Sequence, residues 1–399
     1  MELAFSEADR AFADEVREFV AASLPRDIRE RWADTANVLF ASRDDTLRWT
    51  KILHERGWSA PNWPAEDGGP GWSVIQRFIF ETETALGGAP PLQNQGLKMV
   101  GPVLMAYGSD AQKERFLPRI VSGDLYWCQG YSEPGAGSDL AALGMRAVRD
   151  GNDYVVDGSK IWTTCAHEAD WIFCLARTDG SGRKQEGITF LLIDMSTPGI
   201  TVRPLRFMTG VHEFNEVFFE GVRVPVSNRV GAEGQGWEIA KYLLEYERGG
   251  SFLSHRIRAH LQRLRRLAEA ALVDGAPVAR TPAFRARLAA LESSLEAMSW
   301  TELRLLDRVV RSQRPGAESS VTKLLGAAMH KEVTELAMEA VGPYAHLAAD
   351  PAEAFANALL PPEGVRNASS RYFNHRANSI MGGTDEVQKN VLAKAVLGL

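Results

Sequence analysis

Residues 243–252 read LLEYERGGSF, which sets Glu247 and Arg248 directly before Gly249 and Gly250. A carboxylate, a guanidinium and two missing side chains fall in a segment, Gly236 to about Leu272, whose apolar spacing otherwise reads as one long helix. Each glycine inside a helix costs about 1 kcal/mol relative to alanine, so the pair needs a reason. Taken alone, the stretch specifies no chemistry, because a solvated acid paired with a neighbour is the ordinary state of a helix glutamate. A second stretch, CQGYSEPGAGSDLAAL (128–143), flanks an acid–proline pair with glycines and serines. Small residues let backbone N–H groups approach a ligand closely, and hydroxyls add donors. An ordinary Gly-rich turn has the same glycine spacing, and the GxGxxG pattern of a dinucleotide-binding unit is absent.

Three regions must position these stretches. Residues 1–124 read helical: Ser6 is a candidate N-cap, Phe12, Val16, Phe19 and Val20 follow at helical spacing, and further runs start near Asp44, Ser73 and Asp110. WSAPNWPAEDGGPGWS lies between them as a Pro/Gly-rich loop. Over residues 125–230 the character changes to short β-rich runs, YVVDGSKIWTT, ADWIFCLARTD, GITFLLIDM and NEVFFEGVRVP. Over 231–399 the helical pattern returns, with runs at 236–274, 282–313 and 318–342 and a last one from about Thr384; residues 345–370 are less regular and read as a surface excursion. An α–β–α order within an α+β chain predicts three domains with helices packed on both sides of a β module.

The chain has 399 residues, 45% hydrophobic and 24% charged, with a net charge of -6. That is the profile of a soluble globular protein with ample length for a sizeable core. With no basic block, no nucleic-acid partner is expected. Cys128, Cys165 and Cys174 show no metal-ligand spacing and cannot form a full disulfide framework, so no metal site and a reducing, cytoplasmic location are expected. The acidic N-terminal stretch does not read as a signal peptide, and no apolar run is long enough to span a membrane.

SEPGAGSD, then KIWTT about twenty residues on, then IMGGTDEVQKNVLAKAVLG near the end make the chain resemble the acyl-CoA dehydrogenase family over essentially its whole length. The resemblance implies an N-terminal helical domain, a middle β-barrel domain and a C-terminal four-helix bundle. It implies bound FAD, oxidation of an acyl-CoA to the trans-2-enoyl-CoA, and electrons passed to an electron-transfer flavoprotein. By the same resemblance Gln129, Tyr131, Ser132, Gly137 and Ser138 line the flavin, and Trp162 and Thr164 pack near the isoalloxazine and hydrogen-bond it. Thr384 and Glu386 touch the adenosine diphosphate portion, and Ser138, Tyr246, Arg248 and Gly383 face the substrate.

Such chemistry needs a base for the Cα proton, a polarised thioester oxygen and a flavin close to Cβ. Many members carry the base before the last helix, as tyrosine–glutamate–glycine–threonine; here the string is Met381, Gly382, Gly383, Thr384, with no carboxylate at 382. Either the chain is catalytically dead or the base comes from elsewhere. A branch similar to isovaleryl-CoA and long-chain acyl-CoA dehydrogenases places the glutamate before an arginine on the first long C-terminal helix, which Glu247–Arg248 matches. Glu247 is therefore assigned as base, and Gly382 keeps a backbone N–H for the thioester oxygen. Arg248 either orients charge nearby or forms a structural ion pair. Gly249 and Gly250 either widen the pocket for a branched or ring-bearing acyl group or permit close helix packing.

Two family elements that hold FAD from a neighbouring subunit look absent. Residues 273–294 contain no Arg-x-x-Phe-Gly, and Glu339 stands near the place of a glutamine. One reading is an unlike pair, resembling the α2β2 enzymes of bacterial steroid side-chain degradation; the other is a homodimer or homotetramer that holds FAD with other residues. A flavin oxidase or monooxygenase on the same fold, and a non-catalytic subunit, complete the alternatives.

Overall fold

The computed structural model describes the chain except residues 1–4, 34, 36–39, 210, 250–252, 313–318 and 347–366, and except the side chains of 245–249, 308–312, 344 and 346. Among the described residues six N-terminal helices come first: α1 (Glu7–Ser23), α2 (Arg26–Ala33), α3 (Arg43–Glu55), α4 (Val74–Leu86), α5 (Gly101–Tyr107) and α6 (Asp110–Val121). Their starts are written in the sequence. Ser6, Ser73 and Ser109 each accept from the backbone N–H three residues on, and Asp9, Gln76 and Gln112 return the bond as capping boxes. A π-helical turn, Gln95–Val100, runs directly into α5. Such turns are rare and cluster at functional sites.

Eight strands follow: β1 (Trp127–Gly130), β2 (Arg146–Asp150), β3 (Asp153–Thr164), β4 (Trp171–Arg177), β5 (Ile188–Asp194), β6 (Ile200–Arg206), β7 (His212–Pro225) and β8 (Arg229–Val230). Their order is β6-β7-β3-β2-β4-β5-β8, with β1 added parallel to β4. The barrel expected from the family resemblance is not formed: the sheet is open, and its outer strands β6 and β8 do not pair. Two local reasons account for this. β2 and β4 share a single register pair, Arg146 with Arg177, so the two halves of the sheet diverge. β6 carries Pro204, which has no N–H to donate, a residue suited to an edge.

β4 and β5 are buried on both faces. Phe173, Leu175, Phe190 and Leu192 meet helix residues Val103 and Phe116, while Ile172, Cys174 and Leu191 meet Val156, Val217 and Phe219 of the sheet's other half. Helix α6 is fixed to the sheet by Gln112, whose side-chain amide donates to the carbonyls of Ser227 (2.8 Å) and Arg229 (2.9 Å).

The C-terminal helices are α7 (Gly236–Gly249), α8 (Ser254–Ala270), α9 (Pro282–Ser312), α10 (Ser319–Val341), α11 (Ala368–His375) and α12 (Asp385–Leu392). α10 packs against the other five, so this part is a helical bundle. The single helix expected over 236–274 is two helices. Glu302 of α9, buried, accepts from the N–H of Leu253 (2.8 Å) and of Ser254 (3.2 Å), and so caps a new start at α8. Among the described residues no helix is long and apolar enough to cross a membrane.

Candidate active site

The glycine–serine loop is pinned at both ends. At its start, Glu133 and Ala136 exchange two backbone hydrogen bonds of 3.0 Å, closing a turn over Pro134 and Gly135. The Glu133 carboxylate accepts from the N–H of Gly144 (2.6 Å) and Met145 (3.0 Å) and from Lys160 Nζ (2.7 Å). Lys160 also donates to the carbonyl of Tyr131 at 3.2 Å. Its side chain is wholly buried, and burial lowers its pKa while the Glu133 charge opposes the shift. At the far end, Arg177 donates to the carbonyls of Ala141 (2.8 Å) and Leu143 (3.2 Å). Between these anchors Gly137 and Ser138 are exposed, and nothing lies within 4 Å of where a Cβ on Gly137 would be.

Beside this loop β3 breaks its register with β7 between Lys160 and Thr163. Ile161 N–H donates to the Ser132 carbonyl at 2.9 Å, so loop and bulge are joined through the backbone. Trp162, inside the bulge, has φ 60 and is 55% exposed. A tryptophan held in left-handed conformation with its ring in the open is an outlier of the kind found at functional sites. Asn215, fully buried, holds the bulge: its amide nitrogen donates to the Thr163 carbonyl (3.0 Å), and its oxygen lies 2.7 Å from His212 Nε2. Thr164 pairs with Phe214 in register.

The remaining assigned positions lie on the C-terminal bundle. Gly382 and Gly383, at φ 65 and φ 89, form a turn that glycine adopts without penalty. Gln388 ties this turn down by donating to the Gly382 carbonyl at 3.0 Å. Thr384 is the N-cap of α12, accepting from Val387 N–H at 3.2 Å, and exposed Glu386 follows in the first turn. Its carboxyl is held below the ordinary range by its own N–H and the Thr384 hydroxyl.

Sequence reasoning did not single out Glu213, which links the two groups. Its carbonyl accepts from Cys165 N–H at 2.8 Å, beyond Trp162, and its carboxylate accepts from Asn374 of α11 at 3.3 Å. Glu213 is 1% exposed, its Oε1 has no partner among the described residues, and burial pushes its pKa up to about 7. A glutamate at an inward position of a strand was the available signal.

The sheet thus gathers Ser132, Gly137, Ser138, Trp162 and Thr164 around one loop. Gln129 is on β1 beside them, half-buried. Tyr131 is buried, its ring against Phe173 (6.0 Å) and Phe190 (6.5 Å), and its carbonyl accepts from Lys160. Glu247 falls within the last turn of α7, but the side chains of Tyr246, Glu247 and Arg248 lie outside the described residues.

Comparison with known proteins gives a consistent answer. The acyl-CoA dehydrogenase N-terminal, middle and C-terminal domains match residues 6–124, 128–222 and 234–397. The acyl-CoA dehydrogenase IpdE1 of Mycobacterium tuberculosis is 39% identical over 358 residues, 89% of this chain and 88% of the relative. Among solved structures, the ChsE4–ChsE5 complex from Mycobacterium tuberculosis matches at 32% identity and TM-score 0.82, covering 100% of this chain and 99% of that one. The Tcur3481–Tcur3483 steroid ACAD matches at 31% identity and TM-score 0.84 with the same coverage. With all three domains matched in order and a 39% identical relative spanning most of its length, the chain belongs to the acyl-CoA dehydrogenase family.

Proposed function

We propose that this chain carries out FAD-dependent α,β-dehydrogenation of an acyl-CoA thioester, with Glu247 as the base. The observation that carries the reading is the exposed, left-handed Trp162 set in a bulge beside the pinned 131–145 loop. These residues fit a planar isoalloxazine: an exposed aromatic side chain at Trp162 and unobstructed backbone at Gly137. A bound FAD would supply the two-electron acceptor for the hydride leaving Cβ. The Glu247 carboxylate takes the Cα proton. Gly382 N–H donates to the thioester oxygen, which makes that proton more acidic. Arg248 orients charge beside the base, and Thr384 and Glu386 at the start of α12 serve the adenosine side. The electrons then leave to an electron-transfer flavoprotein. The test is anaerobic addition of acyl-CoA thioesters to the FAD-loaded protein: bleaching of the oxidised flavin supports the reading, and no bleaching with any of a broad panel contradicts it.

The same reading extends to assembly as one half of an unlike α2β2 pair. Where an arm toward a neighbour's FAD is expected, the chain forms a small hairpin, β9 (Leu272–Val273) with β10 (Ala276–Pro277), whose Leu272 and Val273 are exposed. Glu339 is engaged by Arg287. Similarity to the ChsE4–ChsE5 complex supports this reading. Flavin content decides it: the chain expressed alone should hold well under one FAD per chain, whereas near-stoichiometric flavin with full turnover would contradict the heteromer.

A further inference from the structure

We infer that the acyl group this enzyme accepts carries an oxygen acceptor, a carboxylate or a ketone, at the end remote from its thioester, and that Arg256 receives it. The inference rests on the acyl-CoA reading and adds the substrate class. A cavity of about 390 Å³ opens between α4, the 87–94 segment and the first turns of α8. It adjoins the site through the π-helical turn Gln95–Val100, which packs on α7 and contributes Lys98 to the lining. Arg256 follows Glu247 by nine positions, at the start of α8.

The walls are mostly apolar, and among the described residues the polar groups set into them are incompletely partnered. Glu81 is its acid, and Lys98 Nζ already holds the carboxylate at 2.7 Å with both side chains largely buried. Arg263 is engaged with the Trp32 carbonyl at 3.2 Å. Arg256 is half-buried and makes no hydrogen bond or ion pair with any described residue; it senses Glu81 only through space, and burial draws its pKa down. Beside it, His255 Nδ1 and His260 Nδ1 are buried without a partner among the described residues. Burial holds both imidazoles neutral, His255 near a pKa of about 3, so each offers one donor and one acceptor nitrogen.

A hydrocarbon terminus entering this cavity would displace water and leave the guanidinium unpaired, which is costly. A carboxylate would accept from the Arg256 fork, and a ketone would take one of its N–H donors. Sites built to hydrogen-bond a substrate group reject the analogue that lacks it far more strongly than apolar pockets discriminate by size.

The experiment uses the FAD-loaded protein in the assembly in which it purifies. Three acyl-CoA thioesters of equal chain length are compared, ending in a methyl group, a carboxylate or a cyclic ketone. Calorimetry gives Kd, and flavin bleaching gives kcat and KM. The expected result is roughly ten-fold or greater preference for one oxygenated thioester over the methyl-ended one; which of the two is preferred identifies the acceptor. In Arg256→Met that ratio collapses, mainly through Kd and KM, and Arg256→Lys restores part of it. Equal binding of all three thioesters, or a ratio that survives Arg256→Met, overturns the inference. Because Kd is read without turnover, an Arg256-dependent ratio in a protein that never bleaches upholds the inference while contradicting the dehydrogenase reading. Bleaching by all three with no ratio does the reverse.

Discussion

Lys160 Nζ lies 2.7 Å from Glu133 Oε1, with the lysine side chain wholly buried, and this pair joins the glycine–serine loop to the strand that presents Trp162. The two partners are not equivalent. Glu133 also accepts two backbone N–H groups, whereas among the described residues Lys160 has only the Tyr131 carbonyl besides. Glu133→Ala therefore strands a buried ammonium and two amides together and should cost about 3–5 kcal/mol. Lys160→Met leaves Glu133 with its amide donors and should cost less. Urea unfolding of both variants checks the order; an equal or reversed order would mean that the loop does not depend on the carboxylate.

Trp162 is held at φ 60, where a non-glycine residue is disfavoured by about 1–2 kcal/mol, and its ring is more exposed than buried. Trp162→Gly removes that strain and little packing. The expected outcome is unfolding stability of the FAD-free protein equal to or above that of the parent, with FAD affinity weaker by about ten-fold or more, consistent with loss of an aromatic contact of about 1.5 kcal/mol. A stability loss with unchanged FAD affinity would make Trp162 a packing residue instead.

Glu213 gives a pH dependence of definite sign. Its folded-state pKa, about 7, stands above the ordinary 4.5. The folded chain therefore keeps a proton that the unfolded chain releases, and stability falls as pH rises from about 4.5 to about 7, by up to about 3 kcal/mol for a shift of this size. Glu213→Gln imitates the protonated acid and keeps an acceptor for Asn374. Its stability should match the parent near pH 4.5 and exceed it at pH 8, read as the difference in Tm at the two values. A gap that is the same at both pH values would place the titration elsewhere.

What was legible in the sequence was local. Capping serines at 6, 73 and 109 act through neighbours three positions away, the glycines at 382 and 383 sit in a turn held by Gln388 six positions on, and SEPGAGSD and KIWTT mark the loop and bulge directly. What was not legible depends on partners far along the chain. Glu302 caps α8 across 49 positions, which is why a helical pattern over 236–274 did not reveal its break. The open sheet turns on how few pairs β2 and β4 share, a quantity that no single strand's pattern contains. Lys160 was read as part of a motif; its burial against Glu133, across 27 positions, came only from the fold. The Arg256 cavity is likewise assembled from α4, the π-helical turn and α8.

The central claim is that Glu247, at the end of α7, is the base that Gly382 cannot be. Glu247→Gln tests it most directly, since the amide keeps the shape of the side chain and loses its basicity. With FAD content matched to the parent, the account predicts that the anaerobic rate of flavin bleaching by a saturating acyl-CoA falls by about 100-fold or more, while the Kd for that thioester changes little. Bleaching at the parent rate in Glu247→Gln would contradict it.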